Sequence, residues 1–263
     1  MPENTNIYAL PRLSMRWVSV WRRNFLVWYK LIGPALLGNI MEPLLYLIAL
    51  GYGLGHFVGE MEGVDYLTFL ASGFICASAM NTATFEGLYS AYTRMAVQRT
   101  WEGMLAAPLQ IDDIILGEVL WAGTKSLISG TIILLVAYLL GAVSGPAAVL
   151  ALPAVLLLGV CFASMALVIT AVASSYDFFM YYFTLLVTPM FLFSGVFFPV
   201  ENLTPVLGWV AQLLPLTHGV ALVRPLVTGQ AVEWPLFHIA VLMLYICVTY
   251  YFATALLRRR MCA

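Results

Sequence analysis

Six long apolar stretches run through this chain, at about 32–54, 65–89, 120–141, 148–173, 178–198 and 236–257, with few polar residues inside them. A helix rises about 1.5 Å per residue, so roughly 20 apolar residues cross a bilayer core of about 30 Å. The pattern predicts an all-α polytopic membrane protein of six transmembrane helices. With no internal repeat or low-complexity linker, residues 1–263 form a single transmembrane domain. The connections alternate between two sides. Gly55–Asp65, Gly141–Ala147 and the segment Pro199–Pro235 fall on one side; residues 90–119 and the short Ser174–Asp177 fall on the other.

Residues 12–30 carry a different period. At about 100° per residue, Arg12, Arg16, Arg23 and Lys30 share one side, and Trp17, Trp21, Phe25 and Trp28 the other. This predicts an interfacial amphipathic helix, with aromatics at headgroup depth and cations toward water and anionic membrane lipids. The plainer role is to anchor the first span; cradling a cytoplasmic partner is the alternative. In the segment 199–235, Pro199, Pro205, Pro215, Pro225 and Pro235 leave pieces of about ten residues, too short to span. Proline blocks helix continuation, so a re-entrant helical hairpin in the outer leaflet is expected.

Composition sharpens the class. The chain is 62% hydrophobic and only 10% charged, against roughly a quarter charged in soluble domains. The net charge of −1 offers nothing for nucleic acid. The cations are segregated: Arg12, Arg16, Arg22, Arg23, Lys30, Arg94, Arg99, Lys125, Arg258, Arg259 and Arg260 fall on one side of the six-span topology, and Arg224 alone on the other. Basic residues stay cytoplasmic, so both termini and the loop around 91–115 are expected inside. The first apolar run follows about thirty residues with five cations and is expected to be retained rather than cleaved. Cys76, Cys161 and Cys247 lie in apolar runs and suggest no disulfide framework. His56, His218 and His238 fall near the outer face and read as polar packing rather than as a metal site.

The chain lacks a Gly-Lys dipeptide, and therefore a P-loop, and it has no HExxH, CxxC or GxSxG motif. No catalytic residue, metal site or cofactor is expected on it. Tyr92–Leu109 reads as a short helix closed by Pro108. Val97, Trp101 and Met104 form its apolar ridge, with Gln98, Arg99 and Glu102 on other faces. The ridge suits docking into a cleft on another protein, and equally a helix lying flat on the membrane. Glu42 and Glu86 fall within or at the end of spans, where a charge costs roughly 2.5–3.5 kcal/mol. They read as a proton relay or cavity lining, or structurally, with Glu86 paired to Arg94 or Arg99 and Glu42 hydrogen-bonded beside Asn39. The structural reading is favoured for Glu86; for Glu42 both stay open.

Pro43–Gly55 (PLLYLIALGYGLG), Arg99–Leu109 (RTWEGMLAAPL), Gly117–Lys125 (GEVLWAGTK), Thr188–Leu203 (TPMFLFSGVFFPVENL) and Leu214–Leu226 (LPLTHGVALVRPL) resemble the NodJ branch of the type-2 ABC exporter permeases, in matching order over nearly the whole chain. The resemblance implies a permease in the bacterial cytoplasmic (inner) membrane that pairs with a second copy of itself. It also implies two copies of a separate NodI-like ATPase subunit, which would hold the ATP and Mg. By position the coupling helix falls at about Arg94–Leu105, with Arg94, Arg99, Trp101 and Glu102 facing the ATPase. The interfacial helix corresponds to about Arg12–Tyr29 and the re-entrant hairpin to Leu203–Val227. The implied cargo is an amphiphile such as a lipo-oligosaccharide or glycolipid. Phe191, Phe193, Phe197 and Phe198 are candidates for its path, although ordinary packing of aromatics in a helix bundle is the favoured reading. Arg224 would meet an anionic headgroup or pair with Glu201 or Glu233, the latter being more economical. The alternatives are a proton-coupled carrier using Glu42 and Glu86, and a non-transporting scaffold.

Overall fold

The computed structural model describes residues 7–33, 41 and 43–262. Residues 34–40 and Glu42 of the predicted first span, and with them the expected Asn39–Glu42 hydrogen bond, lie outside the described residues. The described chain forms α1 (Trp17–Tyr29), α2 (Pro43–Val58) and α3 (Tyr66–Val97), then the short α4 (Thr100–Leu105). After these come α5 (Ile111–Leu139), α6 (Pro146–Val172) and α7 (Asp177–Phe193). The last three helices are α8 (Pro205–Leu213), α9 (Pro215–Thr228) and α10 (Pro235–Cys262).

Of these, α3, α5, α6 and α10 are long and apolar enough to cross a membrane, and the bent pair α8–α9 is a fifth candidate. The helix α3 is central, with 94% of its apolar window buried, whereas only 22% of the α10 window is buried. A helix apolar on all sides yet barely covered presents its surface to lipid or to another chain. Small residues set the close packing of α3, α5 and α6. A Cβ at Gly159 would lie 2.5 Å from the Ser126 Cβ, and one at Gly87 2.6 Å from the Ala166 Cβ. Dispersion between closely approaching backbones is the main cohesive force where lipid competes for apolar contact.

Two features depart from the predicted pattern. The loop Gly55–Asp65 contains a small antiparallel hairpin of β1 (Glu60–Met61) and β2 (Val64–Asp65), so the fold is not purely helical. Its turn residues Glu62 and Gly63 have φ 54 and φ 75, a two-residue turn whose twist suits a hairpin. The helix α5 begins nine residues earlier than the hydropathy pattern indicates. Gln110 and Asp113 close a reciprocal capping box at its start, which satisfies two otherwise orphaned N–H groups.

Proline acts locally. In α7 the turn Phe183–Val187 widens to π geometry just before Pro189, where the missing N–H would interrupt an α ladder. At the far end of the chain, α8 and α9 meet at 87° across Leu214. Pro225 lies inside the continuous α9 and does not divide it, contrary to the expectation of ten-residue pieces.

Candidate functional site

Two widened turns end the central helix α3, at Glu86–Ser90 and Thr93–Val97. Each shifts the helical phase and re-aims the side chains beyond it. Glu86 and Arg94 thereby meet: Arg94 Nη2 donates to Glu86 Oε1 at 2.8 Å. The same Glu86 oxygen accepts from Trp121 Nε1 at 3.0 Å, and Oε2 accepts from Lys125 Nζ at 2.8 Å. Arg94 also forks onto Glu118, its Nε donating to Oε1 at 2.9 Å and its Nη2 to Oε2. Trp101 Nε1 on α4 completes the set, donating to Glu118 Oε1 at 3.2 Å. Glu86 and Glu118 are both buried, and this density of donors is what makes buried carboxylates tolerable.

The favoured reading of Glu86, paired with Arg94, is what this geometry displays. Lys125 and Trp121 are its further partners, in place of Arg99. Glu118 was the residue missed. Glu118, Trp121 and Lys125 share one face of α5 at i, i+3 and i+7, a signal present in the sequence but divided there between the loop 90–119 and the span 120–141.

The coupling segment needs correction. Arg94 lies on α3 within the ion network, not on the short helix. A break at Arg99, in left-handed backbone (φ 50), separates α3 from α4. Trp101 is fully buried and Met104 half-buried, so two of the three ridge residues face the bundle. Outward stand Val97, Arg99 and Glu102. The latter two are paired loosely at 3.9 Å, with side chains 74% and 57% exposed.

The helix α1 packs its aromatic face on the bundle. Its Trp21, Phe25 and Trp28 rings surround Trp121 of α5, at 5.9–6.3 Å between centroids. Trp21 Nε1 donates to Thr124 Oγ1 at 3.0 Å. Val20 meets Gly117, where an added Cβ would stand 2.6 Å from the Val20 Cβ and 3.0 Å from the Trp17 carbonyl. Arg23 is half-buried rather than solvated; burial, and then the neighbouring Arg94, hold its pKa below the ordinary guanidinium value. Exposed Arg16 donates to the Pro108 carbonyl at 2.7 Å, and the Arg12 N–H to Asp112 Oδ2 at 2.8 Å. Buried Asp112 also accepts from Arg258 Nε at 2.8 Å, and Arg258 Nη1 donates to the Ala9 carbonyl at 2.6 Å. Arg260 Nη1 donates to the Thr170 and Ala173 carbonyls at 2.8 and 2.7 Å, covering the C-terminal end of α6. The basic residues near both chain ends thus gather at one end of the bundle and tie it together.

At the opposite end, Arg224 on α9 is buried. Its Nε donates to Ser72 Oγ at 3.0 Å and its Nη2 to the Gly195 carbonyl at 2.5 Å. Its guanidinium lies 3.6 Å from the Phe69 ring centroid, and its nearest acid is Glu62 of the hairpin turn, at 4.0 Å. The expected pairing with Glu201 or Glu233 is replaced by this one, because the hairpin folds over α9. Phe191 and Phe197 pack edge-on to Phe74 at 5.7 Å, while Phe193 and Phe198 are half-buried nearby. His218 and His238 share a contact of 2.8 Å between Nδ1 atoms. Among the described residues no group of three His, Cys, Asp or Glu could hold a metal.

Comparison with known proteins bears on both ends. Residues 15–228 match the family model described as "ABC-2 type transporter". The chain is 46% identical to Nodulation protein J of Rhizobium leguminosarum bv. trifolii, over 97% of this chain and 98% of that protein. It is 44% identical to Nodulation protein J of Rhizobium meliloti (strain 1021), over 97% of each. Similarity extends to the inner membrane transport permease YadH of Escherichia coli (strain K12), at 24% identity over 73% of this chain and 76% of YadH.

Proposed function

This chain belongs to the ABC-2 type transporter family, and from that premise we propose that it is the permease of an ATP-driven exporter of an amphiphile. Family membership makes it a membrane subunit that works with an ATPase subunit. The observation that carries the coupling mechanism is the mounting of α4. Its outer face offers Arg99 and Glu102, while its inner face is fastened through Trp101 to Glu118 and so to Arg94 on α3. A push on the exposed pair is passed to α5 and α3 through these side-chain hydrogen bonds, across the backbone break at Arg99.

In this reading two copies of the permease associate, the sparsely covered α10 facing lipid or the second copy. Two ATPase subunits of NodI type bind at the basic end and hold the ATP and Mg. The basic end, with both termini, faces the cytoplasm of the inner membrane. The short helices α2 and α7 serve as the first and fifth of six spans, and α8–α9 as a re-entrant hairpin on the outer side. ATP binding closes the ATPases and the α4 mounts shift the dimer between inward- and outward-facing states. The proposed cargo is a lipo-oligosaccharide, with related glycolipids as the wider class; the relatives' name, Nodulation protein J, supports a part in nodulation. Phe191, Phe193, Phe197, Phe198 and Arg224 stand toward the exit side of that route.

The test is reconstitution in vesicles with and without the ATPase subunit. Transport is expected only with the partner and ATP; transport by the permease alone under a proton gradient would overturn the reading. Replacing Arg99 and Glu102 together by Ala is expected to reduce stimulated ATP hydrolysis about tenfold, the effect of losing an interface contact worth about 1.4 kcal/mol. Both side chains are exposed, so permease stability should move by less than about 0.5 kcal/mol.

A further inference from the structure

Beside the ion network lies a cavity of ≈ 340 Å³ between α1, α3 and α5, lined in part by Arg23, Asn24, Trp28, Glu86, Arg94 and Lys125. Its hydrogen-bonding capacity is unbalanced. Both Glu86 oxygens are taken by Arg94, Trp121 and Lys125. Asn24, 2% exposed, accepts from Arg23 Nη1 through Oδ1 at 3.0 Å, yet its buried Nδ2 has no partner. Trp28 Nε1 on the same wall is likewise buried and unpartnered. Two orphaned donors on residues that line one cavity are uncommon, since an unmade buried hydrogen bond costs about 1–3 kcal/mol.

Charge points the same way. Arg23, Arg94 and Lys125 outnumber the carboxylates of Glu86 and Glu118, and Arg23 has no acidic partner among the ion pairs of the described residues. A neighbouring hollow is lined by Arg22, Arg23 and Lys30 with Leu26 and Val27, and the last two are exposed. We propose that the cavity is a binding site for a phosphate group, held by Trp28 Nε1–H, Asn24 Nδ2–H and the Arg23 guanidinium. The phosphate is that of an acidic phospholipid, whose acyl chains run beside Leu26 and Val27. A phosphate supplies several acceptor oxygens and the missing negative charge, which matches a donor-rich, cation-rich wall. The site's three donors lie on α1, outside the α4 contacts, although the cavity shares Arg94 with them, and the site does not depend on the direction of transport.

The full-length protein, exchanged into mixed micelles with phosphatidylglycerol or phosphatidylcholine, is read by native mass spectrometry for retained lipid. Phosphatidylglycerol should be retained at least about tenfold better than phosphatidylcholine. Trp28→Phe, which keeps a ring but removes the N–H, and Arg23→Gln should each lose about tenfold, as expected for a hydrogen bond to a charged group. Arg259→Gln, an exposed cation elsewhere at the same end, should lose nothing. Displacement of phosphatidylglycerol by millimolar inorganic phosphate in the unaltered protein alone also supports the site, and gives it the free ion as a second source. If Trp28→Phe does not purify as a monodisperse species, Asn24→Leu is read on the same scale. Equal retention of the two lipids, or variants that hold phosphatidylglycerol as well as Arg259→Gln does, overturns the proposal.

Discussion

Arg94, largely covered, and Arg224, buried, stand at opposite ends of the bundle, yet their surroundings differ in kind. Arg94 is matched by two buried carboxylates, which are themselves shared with Lys125, Trp101 and Trp121. Arg224 rests on neutral groups, namely a hydroxyl, a backbone carbonyl and an aromatic face, and Glu62 stands at 4.0 Å with its side chain 36% exposed. The first arrangement is a closed network in which every charge depends on another. The second is a single cation whose removal strands no buried charge. Electrostatic closure suits an end that must transmit force as one body, and a lightly paired cation suits an end where charge is to be sensed or contacted.

The largest expected effect follows from this closure. Arg94→Ala leaves Glu118 with only an indole donor and Glu86 with one cation. Removing one partner of a buried ion pair costs about 3–5 kcal/mol. Thermal unfolding of the detergent-solubilised variant should begin well below that of the unaltered chain, or the protein should fail to elute as a single species. A shift as small as that of an exposed arginine such as Arg259→Ala would show that water enters the network and that it is not closed.

The network also marks where the sequence stopped being legible. Apolar runs reveal the centres of α3, α5, α6 and α10, because burial in a bilayer leaves a hydropathy signature. They fail at the basic end, where Asp112, Asp113 and Glu118 interrupt the apolar pattern of α5. These three are buried, and apart from the capping contact of Asp113 with Gln110 their partners come from the segment before α1, from α3 and α4, and from the C-terminal end of α10, beyond any local window. Periodicity joined Val97, Trp101 and Met104 into one ridge, but the break at Arg99 leaves Val97 exposed on α3 and only Trp101 and Met104 turned inward on α4. It could not tell a ridge that meets a partner from one that meets its own bundle, since both need the same spacing. Arg224 repeats the lesson: Glu201 and Glu233 are nearer in sequence, but the hairpin turn at Glu62 is nearer in space.

Arg224→Gln should cost less than Arg94→Ala. It gives up a desolvated cation–π contact and two charged hydrogen bonds, but it also relieves the burial of the charge, so a loss of about 2 kcal/mol is expected. The same unfolding measurement checks it. A loss equal to that of Arg94→Ala would mean that Arg224 anchors a hidden network of its own and would erase the distinction between the two ends.

The smallest and most discriminating effect belongs to Glu62, which lies in the hairpin turn outside the spans. Partial burial raises its pKa, with Arg224 opposing and Glu201 adding to the rise. A carboxyl whose folded-state pKa is raised binds its proton more tightly when folded. Its contribution to stability is therefore present at low pH and is lost as pH rises through the raised value. Glu62→Gln removes this titration, so its Tm relative to the unaltered chain should climb as pH goes from the acid side toward neutrality. The opposite trend, with the variant losing ground as pH rises, would mean that attraction to Arg224 outweighs burial. Arg224 would then be a paired cation after all, and the contrast with Arg94 would be one of degree.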